Sequence, residues 1–431
     1  MVSVLKVTLW GNDIAAVTWN KDKEIAVIEF FESFVKEGLD ISPLVMPVND
    51  LLRGERIFSF PAHKTKTFKG LPGLLADSLP DDYGNSVIDE WFAAQKMTVS
   101  PTPLDRLSYI GKRGMGALEF KPATNIKELN ESARIEIELL TELAKQILNQ
   151  RESFVANLQK KDKTIMDILR VGTSAGGAKP KAIIAYNENT KEVRSGQVNA
   201  PKGFSYWILK FDGVEDNKQK DNPSGIGRIE YAYYKMAKDC GIKMTECRLL
   251  HENDYAHFIT KRFDRTDTGE KLHTQTLCGI AHFDRDERYS YEQVFQTMRR
   301  LYLPYTDMEQ MFRRMAFNVV ARNHDDHTKN HSFIMNKTGA WSLAPAYDLC
   351  FSYSPSGKWT NQHQLSLNGK RDNFIKDDLF EVAQKADVKN TKEIIQQIIE
   401  VVSNWYIYAK EAEVKPEYIS QIQKTLRIGL K

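Results

Sequence analysis

The chain has 431 residues, 42% of them hydrophobic, with 60 basic against 57 acidic residues and a net charge of +3. That length is beyond the size at which a single core keeps growing, so two or more units are expected. Near-balanced charge argues against a surface built to grip nucleic acid directly. Cys240, Cys247, Cys278 and Cys350 form no C-x-x-C pair, which argues for reduced thiols. No apolar run approaches ~18 residues, so no helical membrane span is expected. Met1 to Lys6 opens as a strand rather than as a basic region followed by an apolar one, so no signal peptide is expected and the location expected is cytoplasmic.

In chain order, residues 1–122 mix short strands with loops. Val4 to Trp10, Ala15 to Trp19 and Glu24 to Phe30 read as a meander. Lys127 to Lys163 is polar and helix-forming, with Ile135, Ile137, Leu139, Leu140, Leu143 and Ile147 giving an apolar face. A glycine-rich element follows, Gly172-Thr173-Ser174-Ala175-Gly176-Gly177-Ala178-Lys179-Pro180-Lys181, and runs into the apolar strand Ala182 to Tyr186. Glycines let backbone N–H groups approach phosphate, and two lysines add charge. The element is not a Walker A loop, because Lys179-Pro180 replaces Lys-Ser/Thr and a strand rather than a helix comes next. A hairpin turn is the other reading of the same residues.

Phe204 to Phe211 is aromatic and β-branched and reads as a strand carrying Lys210, and Arg228 to Ala237 reads as a helix carrying Glu230 and stopped by Gly241. A strand lysine followed at this interval by a helix glutamate is the arrangement by which kinases hold a lysine on nucleotide phosphates. Further on, Asp325-Asp326-His327-Thr328-Lys329-Asn330 lies between an apolar helix end, Phe317 to Ala321, and a strand, Ser332 to Met335. Asp325 and Asn330 are spaced D-x-x-x-x-N, with Asp348 beyond them in Ala346-Tyr347-Asp348. This is the order of a catalytic carboxylate, a metal-binding amide and a metal-binding carboxylate in phosphoryl transfer. Such a reaction needs a carboxylate to orient the acceptor hydroxyl and take its proton, and Mg²⁺ takes only one or two hard oxygen ligands from protein. A polar surface loop is the plain alternative. A metal-hydrolase site built on His324, Asp325, His327 and His331 is another. From Ser290 onward helical patterns dominate, including Ile394 to Ile407 and Pro416 to Ile428.

Taken together, these segments resemble the HipA-type serine/threonine kinase toxins of bacterial toxin–antitoxin systems. The resemblance rests on Leu71 to Asn85, Ile110 to Ala117, Ser174 to Lys181, Lys261-Arg262-Phe263-Asp264-Arg265, Asp325 to Asn330 and Tyr347-Asp348. It implies an α+β fold with a bilobal protein-kinase-like core, a small mixed amino-terminal domain at 1–122, a nucleotide lobe at 123–260 and a mainly helical lobe at 261–431. It implies ATP and Mg²⁺ as cofactors, with Asp325 catalytic, Asn330 and Asp348 holding the metal and Lys210 on the phosphates with Glu230 as its ion-pair partner. Gly176, Gly177, Ala178, Lys179, Pro180 and Lys181 would cradle phosphate. The backbone of Lys261 and Phe263 would meet adenine beside Arg262, Asp264 would face the ribose, and His327, Lys329 and Tyr347 would line the nucleotide. Ser174 would be autophosphorylated and switch the enzyme off. The implied partners are a helix-turn-helix antitoxin of the HipB type, operator DNA reached mainly through it, and a protein substrate, aminoacyl-tRNA synthetases being the first class to try. No membrane contact is implied. Asp326 stands where the best-known member has Gly, adding charge to the loop. A corepressor without strong catalysis and a small-molecule kinase sharing the Asp-Asn-Asp set are the other readings.

Overall fold

The computed structural model describes residues 2–80, 82–94, 100–123, 127–149, 180–214 and 225–430. Strands β1 (Val4–Leu9), β2 (Asn12–Asn20) and β3 (Ile25–Phe30) form the expected antiparallel meander. Leu5, Val7 and Leu9 alternate along β1 and are wholly buried, the period-2 pattern of a strand with one face on a core. Two short strands complete the sheet in the order β4-β3-β2-β1-β5, with β4 at Ile57–Ser59 and β5 at Leu118–Lys121.

A second antiparallel sheet holds β6 (Lys181–Tyr186), β7 (Val193–Ser195), β8 (Ser205–Lys210), β9 (Cys247–Glu252) and β10 (Tyr255–Lys261) in the order β7-β6-β8-β10-β9. Every residue of β6 is buried, so the sheet is covered on both faces. Part of the cover comes from before residue 122: Val87, Ile88, Phe92 and Tyr109 share a core with Ile184, Trp207 and Leu209. The boundary expected at 122 is therefore crossed by packing, since the helix Asp82–Ala94 lends its apolar face to the small lobe. Of the expected helical stretch from Lys127 to Lys163, Ile137–Asn149 is a helix and residues 150–163 lie outside the described residues.

The third part is mainly helical. Its small sheet, β11 (His273–Thr276), β13 (Ser332–Met335) and β14 (Trp341–Leu343), pairs in the order β11-β13-β14, and β12 (Tyr289–Ser290) pairs in parallel with β15 (Leu365–Ser366). Ser290 and Gln293 form a capping box that starts the helix Tyr291–Arg300. The following helix, Tyr305–Val320, is buried on most sides and ends immediately before the Asp325 loop. The expected helix Ile394 to Ile407 is broken at Asn404 into Thr391–Ser403 and Trp405–Glu411. Ser403 Oγ and Asn404 Nδ2 both donate to the Glu400 carbonyl, drawing that acceptor away from the helical ladder, and Trp405 turns into the core. The last helix, Pro416–Gln423, is likewise shorter than its apolar pattern suggested.

Candidate active site

Lys210 closes β8 and stands opposite Lys181, the first residue of β6, in the antiparallel register. Directly paired residues project to the same face of a sheet, so both ammonium groups leave on one side. Lys210 Nζ bonds Glu230 Oε1 and Asp348 Oδ1, and Lys181 Nζ lies 3.8 Å from Asp348 Oδ2. Glu230 sits in the helix Ile226–Asp239, which approaches β10 closely because Gly227 lacks a side chain. A Cβ there would lie 2.7 Å from the Ala256 carbonyl oxygen. Asp212 ties the end of β8 to the same region, accepting from the backbone N–H groups of Gly225 (2.9 Å) and Ala256 (3.1 Å). The Glu230 helix is also joined to the large lobe, since Tyr233 Oη donates to the Ala321 carbonyl (2.7 Å) at the end of the helix preceding the Asp325 loop.

Burial disfavours the charge on Lys210, but the Asp348 and Glu230 carboxylates outweigh it and hold the ammonium well above its ordinary range. Asp348 is the mirror case: burial would raise its carboxyl, yet Lys181 and Lys210 hold it far below the usual carboxylate range. Asp348 adopts φ 52°, a left-handed backbone that aspartate tolerates better than most side chains.

The Asp325 loop is shaped by its own hydrogen bonds. Asn330 Nδ2 donates to the Asp325 carbonyl (2.7 Å), which commits the nitrogen end of the amide and leaves its oxygen as the end that can meet a cation. His327 Nδ1 accepts from the Lys329 N–H (3.2 Å), capping the turn Thr328–Asn330. The Asp325 carboxylate is 45% exposed and lies 3.7 Å from His327 Nε2. Burial lowers the His327 pKa, opposed by the charges of both Asp325 and Asp348, so these three groups share one electrostatic neighbourhood. A carboxylate and an amide oxygen are the hard donors Mg²⁺ selects, so the residues present fit that metal. The Lys329 carbonyl accepts from Tyr347 Oη (2.7 Å), and the Tyr347 ring lies 5.6 Å from that of Phe263, forming an aromatic wall.

The hydrolase alternative is not supported by this geometry. His324 Nδ1 meets the Thr360 carbonyl at 3.0 Å, and His331 is buried against Tyr291. Those two rings therefore point into the core while Asp325 and His327 sit at the cleft. Among the described residues no group of three or more His, Cys, Asp or Glu side chains is placed to hold a metal.

Lys261 ends β10, and residues 262–265 lead out of the small lobe. Here the structure differs from the residue roles expected. Asp264 is wholly buried rather than open to a sugar, its oxygens taken by Arg262 (2.8 and 2.7 Å), Arg265 (2.7 Å) and the Gly116 N–H (2.8 Å). The Arg262 side chain is spent on Asp264 and the Gly196 carbonyl, so it too is structural. Arg265 goes on to the Gly114 and Gly116 carbonyls (3.0 and 3.1 Å), locking the amino-terminal part to this connector. Pro180 and Lys181 are buried beside the cleft, whereas Ser174, Gly176, Gly177, Ala178 and Lys179 lie outside the described residues. Asp326 does not add charge to the loop surface, because its side chain points inward and is fully buried beside His363.

Comparison with known proteins accords with these parts. The HipA N-terminal domain matches residues 5–121, and the HipA-like C-terminal domain matches residues 173–405. A putative kinase of Haemophilus influenzae is 26% identical over 210 residues, 40% of this chain and 59% of that protein. A serine/threonine-protein kinase toxin HipA of Shewanella oneidensis is 23% identical over 198 residues, 41% of this chain and 42% of that protein. The chain thus spans about half the length of the curated relatives it matches. The Shewanella oneidensis MR-1 HipA solved with HipB and operator DNA shares the fold, with a TM-score of 0.63 at 16% identity over 97% of this chain and 95% of that one. The chain belongs to the HipA family, with the HipA N-terminal domain followed by the HipA-like C-terminal domain.

Proposed function

We propose that this protein is an ATP- and Mg²⁺-dependent serine/threonine protein kinase acting as the toxin of a toxin–antitoxin pair. The observation that carries the reading is Lys210 bridging Glu230 and Asp348. Family membership and relatives named as kinases support it. Lys210 and Lys181 draw the ATP phosphates, the Lys261–Phe263 backbone and the Phe263–Tyr347 wall take adenine, and His327 and Lys329 line the nucleotide. Asp348 and the Asn330 amide oxygen hold Mg²⁺, which when bound neutralises charge on the phosphate oxygens. Asp325 orients a serine or threonine hydroxyl and accepts its proton as the new O–P bond forms and the bond to the departing ADP breaks.

The Gly176 to Lys181 segment covers the phosphates in this reading. Phosphorylation of Ser174, two residues before that segment, adds a dianion that repels the ATP phosphates and switches the enzyme off in the same reading. A helix-turn-helix antitoxin is the proposed partner, supported by the Shewanella structure containing HipB and operator DNA. The substrate class proposed is an aminoacyl-tRNA synthetase, with growth arrest as the outcome. Purified chain is incubated with cell extract and γ-labelled ATP. Label on serine or threonine of one protein, dependent on Mg²⁺, is expected. Folded, ATP-binding protein that labels nothing refutes the reading.

A further inference from the structure

Behind the exposed Asp325 lies a polar core that the proposed mechanism does not use. The Asp326 side chain is fully buried. Its Oδ2 accepts from Tyr291 Oη (2.7 Å) and from His363 Nδ1 (2.9 Å), and its Oδ1 accepts from the Gln364 backbone N–H (2.7 Å). Buried carboxylates are costly unless each lone pair is met, and here every contact is a donor. The network continues outward: Asn318 Nδ2 donates to Tyr291 Oη (3.0 Å), and Asn323 Nδ2 donates to Asn318 Oδ1 (2.9 Å). Three elements thus converge on one carboxylate. They are the start of the helix Tyr291–Arg300, the helix Tyr305–Val320 through Asn318, and the segment entering β15. The His363 ring is held between His324 (4.1 Å) and Phe374 (5.3 Å), so it has little room to reorient.

Asp325, by contrast, is half exposed, and its carboxylate has His327 at 3.7 Å as a neighbour. Its location is therefore set through its backbone, which Asn330 Nδ2 holds at the Asp325 carbonyl and which continues into the buried Asp326. We propose that the Asp326–His363 pair is the anchor that positions Asp325 for proton acceptance, both members being positioning residues rather than catalytic ones. The inference rests on the phosphoryl-transfer reading. A displacement of about 1 Å at a reacting group costs on the order of 10²-fold in rate without a matching loss of binding.

The test uses the full chain carrying Asp326→Asn, His363→Leu or His363→Asn, with Mg-ATP affinity measured by calorimetry and kcat and KM measured at a temperature where each variant is folded. Asp326→Asn sets an amide N–H₂ against donors, and His363→Leu removes the Nδ1 donor. In both, kcat is expected to fall roughly tenfold or more with ATP affinity and KM within about twofold of wild type. His363→Asn keeps a donor at the Nδ1 position and is expected to recover most of the loss. The double variant Asp326→Asn/His363→Leu should be no worse than the poorer single one, as for two members of one unit. Melting temperatures reduced with kcat unchanged in the folded variants would overturn the anchor and leave a purely structural pair. Wild-type protein that binds ATP but transfers no phosphate would instead sink the kinase reading. Should Asp326→Asn fail to fold, His363→Leu carries the same comparison, because Tyr291 and Gln364 still satisfy the carboxylate.

Discussion

Replacing Lys210 with Met keeps the length of the side chain and removes the charge that Glu230 and Asp348 both face. The Lys210 and Glu230 side chains are 16% and 9% exposed, so this is a buried pair, whereas Asp348 is 28% exposed and retains Lys181 at 3.8 Å. Breaking one side of a buried ion pair costs about 3–5 kcal/mol, because the remaining charge loses its compensation. Asp348 retains Lys181 and Glu230 keeps its further contacts, which places Lys210→Met near the lower end, about 3 kcal/mol. At about 2–4 °C per kcal/mol for units of this size, the melting temperature should fall by roughly 6–12 °C. Glu230→Gln leaves Lys210 its bond to Asp348 and should cost distinctly less. Differential scanning calorimetry on the three proteins checks the order, and a labelled-ATP assay should show transfer reduced by about 10²-fold or more in Lys210→Met. Lys210→Met melting together with wild type would refute the view that the three groups form one buried unit.

Asp348→Ala and Asn330→Ala should each weaken Mg²⁺-dependent nucleotide binding, since each removes one of the two proposed metal donors, while His324→Ala and His331→Ala leave it in place. Calorimetry with Mg-ATP decides, and the reverse ranking would revive a histidine metal site. Stability should fall on acidification from pH 6.5 towards 4. Burial pushes His257, His273 and His331 down to about 4 and His282 down to about 3, so the unfolded chain takes up at least four protons in this window that the native state refuses, at about 1.4 kcal/mol per pH unit each. Asp77, raised to about 6 by burial, binds a proton in the native state first and offsets one of them between pH 6 and 4. Urea midpoints at pH 7 and pH 5 test this, and His257→Asn should shallow the slope; equal midpoints would contradict it. Ser174 should gain phosphate on incubation with Mg-ATP, read by intact mass spectrometry, and Ser174→Asp should be less active than wild type. An active preparation that adds no phosphate would remove the switch.

What could be read from the sequence was whatever depends on local spacing. Lys210 and Glu230 lie on a strand and a helix whose periodicities are plain, and the Asp325 loop is bracketed by an apolar helix end and strand, so their elements were legible. The partners of Asp264 and Asp326 were not. Gly116 lies 148 residues before Asp264, and His363 lies 37 residues after Asp326, so no spacing rule connects them. Asp264 beside a predicted nucleotide hinge therefore looked like a ligand contact, when two arginines and a backbone amide had already claimed its oxygens. The doubled Asp325-Asp326 was the one available signal: adjacent residues leave an extended loop on opposite sides, so one carboxylate facing the cleft sends the other inward. Short strands such as β4 and β5, with three and four residues, offer too few positions for an alternation to show.

In the proposed reaction Asp325 accepts the proton of a hydroxyl during phosphoryl transfer while other groups hold the nucleotide. Asp325 is 45% exposed, so Asp325→Ala should fold and melt like wild type. The decisive measurement is γ-phosphate transfer to protein by Asp325→Ala alongside its calorimetric affinity for Mg-ATP. Transfer reduced by about 10²–10⁴-fold with affinity retained is the predicted result. Transfer at the wild-type rate would contradict it.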